Sequence, residues 1–361
     1  MAISNKIIKK EIQGLIRIND AFNRRFDYLR LDKNERLLPF NIEQLDKFKA
    51  GIRFEDISGY AELGAVYKKL SVYLGVRKDQ LLLASGSDLA IKSVYEACVD
   101  RGDNVVLHAP SYAMYRVYAK MFGAKEKIIP VQKDWRADIP EMLSQVDSRT
   151  KFLALENPNG FVGTGISPDE IEYCARRLKK KNVLLLVDEA YHYIEHTKSK
   201  TVNLITKYPN LIISQTFSKA HGLAGARIGY LIGDSKLIEY ISRVRPAHEI
   251  TSLTARAVEW VLENPCMLSE YQKEIIKSKA YLKKELLNLG IRYLDTHANF
   301  MLLYIPDEKD TAGLPLKLRD RKILIRQPFQ EEYLKGWSRV CVGSLSDSKV
   351  FIKALKEILK K

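Results

Sequence analysis

Between Gln80 and Gly233, short apolar runs alternate with longer stretches of helical periodicity. The runs Gln80-Leu-Leu-Leu-Ala84, Asn104-Val-Val-Leu107, Lys151-Phe-Leu-Ala-Leu155, Asn182-Val-Leu-Leu-Leu-Val187 and Asn210-Leu-Ile-Ile213 predict strands. Almost uninterrupted apolar runs suit strands buried on both faces, as in a parallel sheet with helices on either side. Ser167-Pro-Asp-Glu170 predicts a helix start, with a capping serine and an acidic first turn. Residues 236–289 predict mostly helix, broken near Asn264-Pro265. The last third carries the short runs Phe300-Met-Leu-Leu-Tyr304, Ile323-Leu-Ile325 and Val340-Cys-Val342, then a closing helix from Asp347. The expected fold is α/β: a large domain with a mostly parallel central sheet between helices, plus a smaller α+β domain. No Gly/Ser linker marks a boundary. The pattern assigns 1–45 to an N-terminal arm that joins the small domain, 46–245 to the large domain and 246–361 to the small one.

Composition narrows the class. With 361 residues, 46% of them hydrophobic, the chain can bury a large core, and its length suits about two domains. Lys and Arg number 59 against 44 acids, a net charge of +15. The basic residues are spread along the chain, and the densest run, Arg176-Arg-Leu-Lys-Lys-Lys181, reads as the exposed end of a helix. That distribution indicates a solvated surface that favours small anionic ligands, not a nucleic-acid face. Four cysteines, Cys98, Cys174, Cys266 and Cys341, lie far apart without a CxxC pair, as expected of reduced thiols in a cytoplasmic protein. None of the six histidines has a metal-ligand spacing, so no metal is expected. The stretch Met1–Lys10 is basic but lacks the apolar segment of a signal peptide. No apolar run approaches the ~18 residues needed to span a membrane.

The candidate chemistry centres on Lys219, in Ser214-Gln-Thr-Phe-Ser-Lys-Ala-His-Gly-Leu-Ala-Gly-Ala-Arg-Ile-Gly-Tyr230. A lysine between two predicted strands is poorly placed to be a solvated charge. Its amine can form a Schiff base with a carbonyl compound. Ser218, the backbone of the turn and Arg227 can together hold a phosphate. An aldehyde and a phosphate on one small molecule point to pyridoxal phosphate. Other chemistry-bearing residues fall at predicted carboxyl ends of strands, where open α/β sheets bind ligands. Ala84-Ser-Gly-Ser-Asp88 joins a strand to a helix; Gly86 permits close backbone approach and the helix start can bind a phosphate. Asp188, in Val187-Asp-Glu-Ala-Tyr191, ends the most apolar strand, where an acid is costly to bury without a partner.

The lysine segment resembles the motif of the class I/II aminotransferases, the fold-type I pyridoxal phosphate enzymes. It is most similar to the histidinol-phosphate aminotransferase branch, T-x-S-K-A-x-G-L-A-G-x-R-x-G-Y. Thr216, Ser218, Lys219, Ala220, Gly222, Leu223, Ala224, Gly225, Arg227, Gly229 and Tyr230 match. The resemblance implies a large domain that holds the cofactor through Lys219. Gly86, Ser87 and Asp88, with Thr216, Ser218 and Arg227, would surround its phosphate. Tyr112, in Pro110-Ser-Tyr-Ala-Met-Tyr115, would stack on the pyridine ring. Asp188 would pair with the ring nitrogen and keep it cationic, while Tyr191 would reach the 3′ oxygen. Arg339, in Ser338-Arg-Val-Cys-Val-Gly343, would grip the substrate α-carboxylate through a two-point fork. Asn34 is then a substrate-side residue and Arg326 a partner for a second anionic group, such as a phosphate. The family works as a homodimer, with Tyr60 as the candidate that reaches the phosphate of a neighbouring subunit.

One motif departs from the pattern. Where the family reads N-P-N-N-P-T-G, this chain reads Asn157-Pro-Asn-Gly-Phe-Val-Gly163. The second asparagine of the family donates a hydrogen bond to the 3′ oxygen; Gly160 has no such donor, and Asn159 or a water is its expected substitute. The implied activity is transfer of an amino group between an amino acid and a small, phosphorylated oxo compound. Because Gly160 leaves space beside the ring, decarboxylation of a phosphorylated amino acid is the alternative.

Overall fold

The structure is a computed structural model that describes residues 7–15, 24–305, 308–327, 329, 331 and 334–359. Part of the expected N-terminal arm, including Met1–Lys6, therefore lies outside the described residues. The strands run β1 (Leu29–Leu31), β2 (Leu81–Ala84), β3 (Asn104–Ala109), β4 (Lys125–Pro130), β5 (Thr150–Glu156), β6 (Leu184–Asp188), β7 (Leu211–Thr216), β8 (Gly229–Gly233), β9 (Arg292–Leu294), β10 (Phe300–Tyr304), β11 (Ile323–Ile325) and β12 (Trp337–Cys341).

The apolar runs of the first two thirds build a seven-stranded sheet in the order β2-β8-β7-β6-β5-β3-β4. Strands β3 to β7 pair in parallel, while β8 runs antiparallel to both its neighbours. Alternate residues feed two cores, because successive side chains of a strand point to opposite faces. Leu153, Leu155, Leu185, Val187, Leu211 and Ile213 enter the core on one face. Phe152, Ala154, Leu186 and Ile212 enter the core on the other. Two-sided burial is why these strands read as continuous apolar runs. The edge strand β4, Lys-Glu-Lys-Ile-Ile-Pro, is too polar to show that signal.

Strand register positions the chemistry. Glu156 pairs with Asp188, and Asp188 with Ser214, so the carboxyl ends of β5, β6 and β7 finish level. The chain also reverses direction across the sheet at β3, which has β4 on one side and β5 on the other. A crevice outside the carboxyl ends at such a reversal is the usual ligand site of an open α/β sheet.

The predicted helix start at Ser167 forms with a reciprocal capping box, Ser167 with Glu170. The stretch expected to be helical is three helices, Ser235–Ser242, Ser252–Glu263 and Cys266–Asn288, with the last break at Asn264–Pro265. A third core belongs to the smaller α+β part. There β10 lies between β9 and β12, both antiparallel to it, and β1 pairs in parallel with β11. The two regions of core divide inside the helix Cys266–Asn288, with Met267 on the large side and Leu268 on the small. The division expected at residue 246 lies before this helix. Helix Ser252–Glu263 stays with the large core because Trp260 packs on Phe40 and Phe48, with ring centroids 4.9 and 4.8 Å apart. Near the N-terminus, Leu37 and Leu38 pack on the small core, whereas Phe40, Leu45 and Phe48 pack on the large one.

Candidate active site

A cavity of about 370 Å³ opens at the carboxyl ends of β5, β6 and β7. Lys219, Asp188, Tyr112, Tyr191, Arg227 and Arg339 all border it, as do Ser87, Asp88, Thr216, Ser218 and Arg326.

One end of the cavity is built for an anion. Helix Gly86–Cys98 starts there without a side-chain cap; the Ser85 hydroxyl donates to the Glu249 carbonyl, 2.9 Å away, and accepts from no first-turn N–H. First-turn N–H groups without a cap carry partial positive charge and seek an acceptor. The guanidinium of Arg227 lies against this turn: a Cβ on Gly86 would meet its Nη2 at 2.6 Å. Ser218 is aligned by Thr216, whose Oγ1 lies 3.0 Å from the Ser218 hydroxyl and accepts the Ser218 N–H at 3.1 Å. Asp88 offers only its backbone here, since its carboxylate already accepts a hydrogen bond from Tyr118 at 2.8 Å. Gly229 makes this geometry possible. A Cβ there would stand 2.2 Å from the backbone nitrogen of Ser87.

The middle of the cavity presents one aromatic face and a buried acid. Tyr112 leaves 39% of its surface open toward the space. Asp188 accepts the Tyr115 hydroxyl at 3.3 Å and the Ala190 N–H at 3.1 Å. Burial pushes its carboxyl up to about 6 in the absence of a bonded cation. A cationic heterocycle would supply that cation, so the donor set fits pyridoxal phosphate. Lys219 reaches the same space, its Nζ donating to the Lys33 carbonyl at 3.1 Å and standing 5.4 Å from the Tyr191 ring centroid.

At the far end two arginines flank Phe161. The guanidinium carbon of Arg326 lies 4.9 Å from its ring centroid and that of Arg339 5.7 Å. Arg339 donates to the Gly160 carbonyl at 2.8 Å, yet its Nε has no partner among the described residues. Burial lowers its pKa to about 10, still a cation at neutral pH and in need of an anion.

Three expected residues stand elsewhere. Asn159 does not replace the missing donor: its amide is committed to the Pro110 carbonyl at 2.9 Å and its Oδ1 to the N–H groups of Phe161 and Val162. It folds the loop. Asn34 is buried behind Tyr191, to whose hydroxyl it donates at 3.0 Å, so it orients Tyr191 and does not line the cavity. Tyr60 lies on another surface, 84% exposed and stacked on His248 at 4.1 Å. His221 is likewise behind the site, among Tyr73, Tyr193 and Phe217, where burial lowers it to about 3.

Glu156, Phe161 and the Lys33 carbonyl also border the site or bond within it, although the sequence motifs did not mark them. Glu156 carried a readable signal: like Asp188, it is an acid that ends an apolar run.

Residues 28–355 match the family described as Aminotransferase class I and II. The histidinol-phosphate aminotransferase of Caldanaerobacter subterraneus subsp. tengcongensis is 30% identical over 98% of this chain and 99% of its own. That of Sulfurisphaera tokodaii is 30% identical over 94% of this chain and 93% of its own. The crystal structure of histidinol-phosphate aminotransferase from Sinorhizobium meliloti, in complex with pyridoxal-5′-phosphate, superposes with a TM-score of 0.89 at 22% identity, covering 99% of both chains. With the lysine, the buried aspartate and the uncapped helix start gathered around one cavity, the chain belongs to the class I and II aminotransferases, in their histidinol-phosphate aminotransferase-like branch.

Proposed function

We propose that this chain is a pyridoxal phosphate-dependent transaminase that exchanges an amino group between an amino acid and a small phosphorylated oxo compound. The observation that carries this reading is the cavity itself, with Lys219 and Asp188 at its centre, an anion cradle at one end and two arginines at the other. Bound pyridoxal phosphate supplies an aldehyde for covalent attachment and a ring that withdraws electrons from the carbon bearing the amine. The protein supplies the rest. The first turn of helix Gly86–Cys98, with Ser87, Ser218 and Arg227, holds the phosphate. Tyr112 covers one face of the ring, and ionised Asp188 keeps the ring nitrogen protonated. Lys219 would anchor the aldehyde and, as a free amine, would move the proton at the substrate α-carbon. Its amine is directed by the Lys33 carbonyl 3.1 Å away.

Arg339 receives the α-carboxylate, and Arg326 beside it suits a second anionic group such as a phosphate. The relatives named above are called aminotransferases, which supports transamination over decarboxylation. A homodimer is the expected assembly. Exposed Phe54, Ile57 and Tyr60 form an apolar stretch suited to a neighbouring subunit, through which Tyr60 would approach that subunit's phosphate. Among the described residues no helix is long and apolar enough to cross a membrane. All four cysteines are free, consistent with a reducing cytoplasm.

The test is a screen of amino donors against phosphorylated oxo acceptors, following cofactor absorbance and the oxo product. Turnover should need both partners and should vanish in Lys219→Ala. Carbon dioxide release without any acceptor would refute transamination.

A further inference from the structure

Gly160 and Glu156 occupy one problem in the fold. A Cβ built on Gly160 would lie 3.0 Å from Glu156 Oε2 and 3.3 Å from Tyr191 Cε2. Gly160 does not have a positive φ, so its backbone would accept another residue. What crowds a side chain there is first the Glu156 carboxyl, with the Tyr191 ring next to it. Glu156 is 4% exposed, borders the cavity, and sits beside Asp188 in the sheet register. We propose that Glu156 takes over the position left by Gly160 and donates a hydrogen bond to the phenolic oxygen of bound pyridoxal phosphate. It would be a cofactor-binding residue, and the proposal rests on the cofactor assignment, not on the choice of substrate.

The residue type follows from its surroundings. The backbone N–H of Gly160 donates to Oε2 at 2.8 Å, and that of Tyr112 donates to Oε1. A carboxylic acid can accept both and still carry an O–H to donate. A glutamine cannot, because its NH₂ would face one of the two N–H groups. The groups around Glu156 also favour the neutral acid. From β6 comes the acid Asp188; from the segment after β3 come Tyr112 and Tyr115; Tyr191 stands beside the cavity. From β3, His108 accepts the Glu156 N–H at 3.1 Å and burial holds it neutral. The cation that pulls on it, Arg339 of β12, bonds the Gly160 carbonyl and not the carboxyl. Burial, then Asp188, push Glu156 up to about 8 against the pull of the two N–H groups and Arg339. The missing asparagine and the acid four residues earlier are thus one coupled exchange of an amide donor for an acid donor.

A donor on the phenolic oxygen stabilises its deprotonated form, so it lowers the pH at which the bound cofactor loses its proton. The experiment is a pH titration of the absorbance of the holoenzyme, without substrate, for the natural protein, Glu156→Ala, and Glu156→Ala with Gly160→Asn. The midpoint should rise by about one pH unit, tenfold in the ionisation constant, in the single variant. It should return toward the natural value in the double variant, where the 3.0 Å contact with the carboxyl is gone and the introduced asparagine restores an amide donor. An unchanged midpoint in Glu156→Ala would show that Glu156 makes no such bond; a lowered midpoint would show that it is an anion. Either overturns the proposal. Should the variants fold poorly, carbon-13 carboxyl resonances of the natural holoenzyme decide the same point: a buried glutamate still protonated at neutral pH is expected, and full ionisation refutes the assignment. The readouts need no turnover, so they stand apart from the test of transamination.

Discussion

Gly229→Ala adds one methyl group at the point where β8 passes under the start of helix Gly86–Cys98. The new Cβ would stand 2.2 Å from the Ser87 nitrogen, 2.6 Å from the Gly86 carbonyl carbon and 2.8 Å from the Ser87 Cα. All three are backbone atoms, so no rotamer change relieves the contact. Ordinary van der Waals contact begins near 3.4 Å, so the turn must retreat by roughly 1 Å. The strand cannot yield instead, because Gly229 is paired on both sides, with Ala84 of β2 and Thr216 of β7. Overpacking of this kind costs about 1–3 kcal/mol of stability. The larger consequence is functional, because the turn that retreats is the proposed phosphate cradle. Loss of one charge-assisted hydrogen bond, about 1.5–3 kcal/mol, weakens cofactor binding roughly 10- to 150-fold. The assay is a fluorescence titration of the apo-protein with pyridoxal phosphate, beside its urea-induced unfolding. Cofactor affinity should fall by at least tenfold while the apo-protein still unfolds cooperatively. An unchanged affinity would refute the role of this turn as the phosphate site.

Asp188→Asn removes the anion proposed to pair with the ring nitrogen but keeps the shape. Turnover with any donor should fall by roughly 10- to 150-fold, the worth of a charge-assisted hydrogen bond, as read by steady-state kinetics. Arg339→Lys keeps the charge and loses the planar fork, so KM for the amino acid should rise about tenfold or more with kcat changed less. Stability of the apo-protein should fall as pH rises from about 6.5 to 8. Glu156 and Asp188 are held above their ordinary values of 4.5 and 3.8, at about 8 and about 6. Between the ordinary and raised values the folded chain keeps a proton that the unfolded chain has released, so each group lowers stability by about 1.4 kcal/mol per pH unit across its window. Urea unfolding of the apo-protein from about pH 6.5 to 8, above the range where the lowered His108 and His221 act in the opposite sense, should show the Glu156 part of this decline, and Glu156→Ala should flatten it.

Local sequence was enough for much of this site. The strands β3, β5, β6 and β7 were legible because burial on both faces leaves an unbroken apolar signature. Lys219, Ser218 and Arg227 were legible because one short turn holds them and nothing distant has to be guessed. Asp188 was legible because a carboxylate ending an apolar run has to be explained. Glu156 presents the same pattern, but its role depends on Gly160 and on Asp188, 32 residues away and brought alongside by the parallel register of β5 and β6. The spent amide of Asn159, the withdrawal of Asn34 behind Tyr191 and the open surface around Tyr60 depend on contacts between segments far apart in the chain. Sequence alone thus determined the sheet, the lysine and the cofactor class, because periodicity and a contiguous turn encode them locally. Only tertiary structure decided which polar side chains still face the cavity, because a hydrogen bond made elsewhere in the fold removes a residue from the site without changing its place in a motif.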